Sequence, residues 1–409
     1  MRLDEGKGVY LPEVTADVCN MCGICSDVCP ANPADAADLA MQVFGGKPEN
    51  VLLGNYLRCY VAHATDNRMR HDAASGGLVT SLLIFALEQG IIDGALVVRM
   101  SNSNPLEPEP YVARTASEVL QSMGSKYCPV PVNAGLQDIR SNPGRYAVVG
   151  LPCHISAIRK AEAADALLRE RICLHLGLLC SHTLTFAGTR FLLRKLGINH
   201  QEVASISYRG GGWPGGLTIK TRDGGERRIP NQGWLWNAIF GSFFFTPFSC
   251  LFCSDVTNET ADISLGDPWL PEVTAIEREG KSLLISRTAQ GEALLDRASS
   301  AGVIDLGLLD AGDAIRSQRL FLHFKKVNLG ARRRLARNGK GQMDKHPGSG
   351  SGLQNMMVAA AVLANRRLGS SRSGKYVLGA VPLGVLRMYT NAFQKYYSGI
   401  IDAGLAKYG

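Results

Sequence analysis

Apolar residues recur along this chain in short runs divided by glycine, proline and polar clusters. The run Leu78–Leu87 has the length of a helix, with Ser75 placed to cap its start and Gly90 to stop it. Shorter runs read as strands at Ala95–Arg99, Tyr111–Arg114, Arg145–Gly150 and Ile172–Cys180. Between them the spacing predicts helices near Ser117–Met123, from Leu151 with Pro152 in its first turn, and over Thr183–Leu196. A strand at Val203–Tyr208 leads into Arg209–Gly216, too rich in glycine for regular structure. Asp223-Gly224 then signals a hairpin between Leu217–Thr221 and Glu226–Ile229. Asp262–Gly266, Ser282–Arg287, a helix over Gln290–Ala298 and Val303–Asp305 complete the alternation. The pattern predicts mixed α/β architecture.

The end of the chain differs. Gly, Ser and Pro at His346–Gly352 read as a linker, followed by short apolar segments at Leu353–Leu363 and Tyr376–Tyr389. Neither can span a bilayer, which takes about 20 apolar residues. Docking on the body is the favoured reading, with peripheral contact at a membrane surface as the alternative. Four segments are expected: 14–45, 70–145, 146–325 and a basic, partly helical extension over 326–409.

Composition adds little except charge. At 45% apolar and 20% charged the chain is an ordinary globular one. From Lys325 onward, 15 Lys and Arg face only Asp344 and Asp402, a balance of +13; the 29 basic and 34 acidic residues before it leave −5. A basic tail on an acidic body points to an acidic partner, most simply a ferredoxin or similar electron-transfer protein, with an anionic membrane surface and the chain's own acidic body as the alternatives. Aromatics form no stacking platform among those basic residues, so nucleic acid is not expected. No signal-peptide pattern opens the sequence, and eleven cysteines therefore point to metal or redox chemistry in the cytoplasm.

Cys19, Cys22, Cys25 and Cys29-Pro30 have C-x2-C-x2-C-x3-C-P spacing, the bacterial ferredoxin signature for a [4Fe–4S] cluster. The packed run brings thiolates onto one cubane, and Gly23 lets the backbone fold around it. Segment 14–45 is thus a small ferredoxin-like iron–sulfur unit. Elsewhere, Cys250 and Cys253 form a C-x2-C pair, Cys153 follows a strand at a strand-to-helix junction, and Cys180 ends another. These eight suffice for two [4Fe–4S] clusters; Cys59, Cys128 and Cys173 read as buried apolar residues. In two-cluster ferredoxins the fourth cysteine of the run ligates the other cluster, so the partition of Cys29 and one remote cysteine stays open. Ser75-Gly76-Gly77 at a helix start can offer backbone N–H groups to a phosphate, or serve capping and close packing alone.

Several stretches together resemble the beta subunits of coenzyme F420-reducing hydrogenase and F420-dependent formate dehydrogenase, and their relative 7-hydroxymethyl chlorophyll a reductase. They are Ser75-Gly76-Gly77, Ile92-Asp93-Gly94, Gly124-Ser125-Lys126-Tyr127, Gly150-Leu151-Pro152-Cys153, Gly177–Cys180, Cys250–Asp255 and Asp262–Asp267, in order over roughly residues 14 to 290. The resemblance implies an iron–sulfur flavoprotein, usually with FAD and with FMN as the lesser alternative. Cys153, Cys180, Cys250 and Cys253 would be cluster ligands. Ser75, Gly76, Gly77, Thr80, Lys126, Gly150 and Pro152 would belong to the flavin site, with Lys126 offsetting phosphate or reduced-flavin charge. His154 stands where many relatives carry Gln, and the basic tail has no counterpart in the shorter hydrogenase subunits.

Two functions from different classes follow. One is an oxidoreductase that takes single electrons, from a ferredoxin in the simplest case, through clusters to a flavin. It would reduce an organic substrate or a deazaflavin, coenzyme F420 being a candidate, and His154 could supply a proton as its catalytic residue. The other is an electron-relay subunit of a larger redox complex, without substrate chemistry of its own.

Overall fold

The computed structural model describes residues 1–30, 36–231, 233–336 and 352–405. Arg337 and the expected linker, apart from Gly352, lie outside the described residues. The centre is an eight-stranded sheet. In chain order its strands are β1 (Arg58–Ala64), β2 (Gly94–Met100), β3 (Pro108–Ala113), β4 (Tyr146–Gly150), β5 (Ile172–Leu178), β6 (Ile263–Gly266), β7 (Ser282–Ser286) and β8 (Ile304–Leu309). Their spatial order is β8-β1-β7-β6-β5-β4-β2-β3. β2, β4, β5 and β6 run parallel; the pairs β2/β3, β6/β7, β7/β1 and β1/β8 are antiparallel.

The central strands are covered on both faces, which is why Tyr146–Gly150 and Ser282–Ser286 read as continuous buried runs without alternation. On one face pack Leu78, Leu82, Leu83 and Ala86 of helix α1 (Leu78–Glu88). The other face takes Ile155 and Ile158 of helix α2 (Pro152–Ala164), with Ile139 and Leu168. Each fully buried leucine or isoleucine here contributes about 1.5–3 kcal/mol relative to exposure. A buried network fastens α2 to the sheet. His175 of β5 bonds Asp262 Oδ2 through Nδ1 at 3.0 Å and Glu162 Oε1 through Nε2 at 2.7 Å, and Arg159 reaches Asp262 at 3.2 Å.

The strand at Arg58–Ala64 was not anticipated from the sequence pattern, yet it lies inside the sheet between β7 and β8. A separate three-stranded antiparallel sheet, Val203–Ser207, Gly216–Thr221 and Glu226–Pro230, contains the expected hairpin and forms a second core with Phe186, Leu192 and Trp236.

The C-terminal extension docks on the body. Helices α3 (Leu329–Ala336), α4 (Leu353–Ser370), α5 (Arg372–Ala380) and α6 (Leu383–Leu405) follow one another, so the apolar stretch expected over Tyr376–Tyr389 is broken ahead of α6, where Pro382 cannot continue a helix. Val358 and Val362 of α4 and Phe393, Tyr397 and Ile400 of α6 pack with Phe243, Leu251 and Phe324. Among the described residues no helix is long and apolar enough to cross a membrane. The tail is also less of a free basic surface than its charge balance suggests. Arg332 is 0% and Lys325 2% exposed, while Lys326 pairs with Glu259.

Candidate functional site

Four parallel strands end at one edge of the sheet, and the chain leaves that edge through residues flagged in the sequence. β4 ends at Gly150 and turns through Leu151 into α2; β5 ends at Leu178, two residues before Cys180; β6 ends at Gly266, followed by Asp267. This is where open α/β sheets bind ligands. A cavity of about 810 Å³ opens there, lined among others by Gly77, Thr80, Lys126, Gly150, His154 and Cys180. Its size lies within the range of about 300–1,000 Å³ that holds organic ligands and cofactors.

The four remote cysteines come together beside that cavity. Burial pushes the Cys153 thiol well above its ordinary pKa, and the charges of Cys180, Cys253 and Cys250 push it further. Cys180 is driven up to about 12, first by burial and then, against the opposing Lys325 charge, by Cys250 and Cys253. Burial likewise raises Cys250. Thiols raised as Cys153, Cys180 and Cys250 are stay protonated until a metal deprotonates them.

Hydrogen bonds fix their spacing. Cys180 N donates to Val256 O at 2.9 Å, and Asp255 accepts from the backbone N–H groups of Asn258 and Glu259 at 2.8 and 3.0 Å. Asn258 sits at φ 62° and donates from Nδ2 to Gly150 O and Leu178 O at 2.9 and 3.2 Å. Lys325 Nζ lies 3.3 Å from Cys253 Sγ and 2.6 Å from Asp255 O.

The donor set is all sulfur, and Lys325 and Arg332 are buried cations beside it, with the Asp255 carboxylate also within electrostatic reach. Among the described residues no ion pair includes Lys325 or Arg332, and Arg332 Nη2 has no hydrogen-bond partner. Among those residues, too, no three His, Cys, Asp or Glu side chains close round a single metal ion. Four thiols beside cations that form no ion pair among the described residues suit an anionic, thiolate-held iron–sulfur group, which spreads its ligands wider than one tetrahedral ion.

The N-terminal run is arranged differently. Cys19, Cys22 and Cys25 are exposed and Cys29 is half-buried. Gly23, at φ 80°, starts the short helix Ile24–Asp27, and Met21 also adopts a left-handed φ of 55°. Cys22 N donates to Asn20 Oδ1 at 3.2 Å. Lys160 of α2 donates to Cys29 O at 3.3 Å. Helix α2 thus carries Cys153 in its first turn and grips the other cysteine run seven residues later, about 10 Å along its axis. Cys59 and Cys128 are buried as expected, and Cys173 Sγ lies 3.6 Å from Tyr146 O.

The residues expected to hold flavin divide. Gly77, Thr80, Lys126, Gly150 and Ser75 reach the cavity wall. Gly77, at φ 76°, is the helix cap; Ser75 is not, and its Oγ donates to Lys281 O at 2.5 Å. Gly76 faces the sheet: an added Cβ would stand 2.8 Å from Ala62 O and 2.9 Å from Ser282 N. Its missing side chain is therefore required by strand packing. Lys126 donates to the carbonyls of Ser122, Met123 and Gly124, so its three N–H groups are already engaged, and burial lowers its pKa to about 7. Gly150 leaves room for His154, whose Cβ would lie 2.8 Å from an added Cβ. Pro152 is buried at the first position of α2.

His154 has a structural task. Its Nδ1 accepts from Leu151 N at 3.2 Å, closing the first turn of α2, and burial lowers its pKa to about 4. The ring is neutral at pH 7.

Three features had no sequence signal beyond a glycine-rich loop. Asn258 latches two strand ends, and Lys325 faces a sulfur. Arg209, from the glycine-rich loop, makes a two-pronged contact to Asp267 at 2.6 and 2.8 Å, with Trp213 Nε1 donating to the same carboxylate at 2.7 Å. Partners 58 residues apart are brought together only by the fold.

Residues 59–137 match the N-terminal part, and residues 144–311 the C-terminal part, of the family described as coenzyme F420 hydrogenase/dehydrogenase, beta subunit. The chain belongs to this beta-subunit family. It is a redox protein of that family, as the resemblance implied. The coenzyme F420 hydrogenase subunit beta of Methanothermobacter thermautotrophicus is 28% identical over 302 residues, 70% of this chain and 98% of that one. The protein of the same description from Methanosarcina barkeri is 26% identical over 266 residues, 63% of this chain and 84% of that one. In structure, a chain of the F420-reducing [NiFe] hydrogenase complex from Methanosarcina barkeri superposes with a TM-score of 0.57 at 22% identity, covering 72% of this chain and 98% of that chain.

Proposed function

We propose that this beta-subunit family member is an iron–sulfur flavoprotein oxidoreductase that passes electrons between two [4Fe–4S] clusters and FAD to reduce an organic substrate or a deazaflavin. The observation that carries the reading is Cys180, which belongs to the half-buried four-thiol set and also lines the 810 Å³ cavity. Bound there, the clusters would supply single-electron transfers and the flavin would join them to two-electron chemistry.

The chain's own residues have separate parts in this scheme. Cys19, Cys22, Cys25 and Cys29 would hold one cluster at the surface, and Cys153, Cys180, Cys250 and Cys253 the other within. Asn258 fixes the spacing of the inner set, and α2 connects the two sets. The apolar part of the cavity wall, with Trp236 and Phe240, would limit water around a bound flavin. His154 holds the start of α2. Around the outer run Val18 and Met21 are 80% and 89% exposed, which suits docking of an electron carrier such as ferredoxin.

Protein purified without oxygen should carry about eight irons per chain, as two four-iron clusters require, and release FAD on heating. Four irons, unaffected by Cys250→Ala, would overturn the inner site.

A relay role without substrate chemistry is favoured by one observation, that relatives are named as subunits. Turnover by the purified chain alone decides against it; obligate co-purification with a second protein decides for it.

A further inference from the structure

Lys325 lies beyond the matched residues 144–311. It projects from one turn of π-helix, His323–Val327, inserted between Arg319–Leu322 and α3. Such wide turns are rare and often mark functional positions, because the extra residue re-aims the side chains around it. Here the turn places a lysine that is 2% exposed with its Nζ on Cys253 Sγ and on Asp255 O.

The surroundings hold the ammonium there. Phe324 stacks on Phe243 with centroids 4.5 Å apart, and Arg332 lies 3.8 Å above the Phe324 ring. Arg332 also donates to Phe324 O at 2.7 Å and to Leu251 O at 2.8 Å, joining the π-turn to the loop between Cys250 and Cys253. Its neighbour Lys326 takes the nearby carboxylate, Glu259, at 2.5 Å. Among the described residues Lys325 hydrogen-bonds a sulfur and a carbonyl, and the Asp255 carboxylate acts on it only through space. A buried ammonium with no carboxylate partner is costly unless an anion completes it.

We propose that Lys325 sets the reduction potential of the inner cluster, as a fixed positive charge hydrogen-bonded to the sulfur of Cys253. The inference rests on the cluster assignment made above for Cys153, Cys180, Cys250 and Cys253. Adding one electron to a thiolate-held cluster adds one negative charge. A cation on a ligand sulfur stabilises that form more than the oxidised one, and hydrogen bonds to sulfur act in the same direction. The inner cluster is thereby easier to reduce than its burial would make it, which draws electrons inward from the exposed N-terminal run.

The test is a redox titration of the full chain followed by electron paramagnetic resonance, with iron counted in every sample. Lys325→Gln should lower one midpoint potential by at least a tenfold change in the reduction equilibrium, about 59 mV for one electron, and leave the other midpoint unmoved. Lys325→Arg, which keeps the charge, should stay near the native value. Two unmoved midpoints in Lys325→Gln at full iron content would overturn the proposal. Loss of the inner iron in both variants would also overturn it, assigning Lys325 to assembly of the site. A native protein with no Cys250-dependent iron would instead refute the underlying cluster assignment.

Discussion

Asn258 Nδ2 donates to the carbonyl of Gly150 at 2.9 Å, tying the loop after Cys253 to the strand end before Cys153. The same amide reaches Leu178 O, ahead of Cys180, so one side chain spans all three cysteine-bearing segments. Gly177 makes room for it, since an added Cβ would come within 2.4 Å of Asn258 Cγ. Asn258→Leu should leave two buried carbonyls short of a donor and put a branched side chain at a left-handed φ. The expected loss is about 1–3 kcal/mol, seen as a lower Tm. Iron content should fall by about half, with the N-terminal group retained. Unchanged iron would mean that the latch does not position the inner thiols.

Gly76→Ala should destabilise the fold whether or not flavin is bound, because its Cβ meets strand backbone at Ala62 and Ser282. The check is Tm in flavin-loaded and flavin-stripped protein: both should fall alike. A drop confined to the loaded form would place Gly76 against the cofactor after all.

His154→Gln should preserve the helix start, since a Gln side chain three residues into a helix can accept from the capping N–H as His154 does from Leu151. Turnover at pH 7 should change less than about threefold, and its pH profile should lack a limb belonging to His154, whose pKa lies near 4. A loss of a hundredfold or more would restore His154 as a proton donor.

Stability should depend on pH through the His175 network. Burial and Arg159 oppose the imidazolium, but hydrogen bonds to Asp262 and Glu162 outweigh them and raise the His175 pKa. Its contribution is full below the unfolded value of about 6.5 and is lost as pH rises through the folded pKa. Asp262 behaves oppositely. Burial would raise it, yet His175 and Arg159 hold it at about 2. Its contribution is present above about 3.9 and disappears as pH falls toward the folded value. The native protein should therefore show a Tm plateau between these limits, and His175→Gln should flatten the decline on the alkaline side. A native-like alkaline decline in that variant would exclude the network.

Salt dependence should separate the inner and outer cations of the tail. Neutralising the exposed Arg334, Arg367 and Lys395 should slow ferredoxin-driven reduction at low ionic strength and have little effect at high salt, where the Debye length shrinks. Arg332→Gln should lower Tm equally at both. Its guanidinium is buried against Phe324 and Leu251, so it cannot steer a partner. An effect of Arg332→Gln on rate at low salt alone would contradict that placement.

Local order fixed much of what was legible. Cys19, Cys22, Cys25 and Cys29 are close in sequence, so their spacing alone identifies the chemistry. Apolar runs bounded by glycine and proline similarly marked seven of the eight strands of the central sheet, because strand burial and turn geometry act over a few residues. Tertiary structure alone decided the rest. β1 escaped notice although it pairs inside the sheet, since its neighbours β7 and β8 lie more than 200 residues away. The glycine at 76 looked like a phosphate cradle, but its close contact is a distant strand. Lys325 and Arg332 looked like members of a basic surface, because sequence counts charge without direction. A π-turn and a phenylalanine stack turn them inward, where low dielectric makes each charge count for more than it would in water.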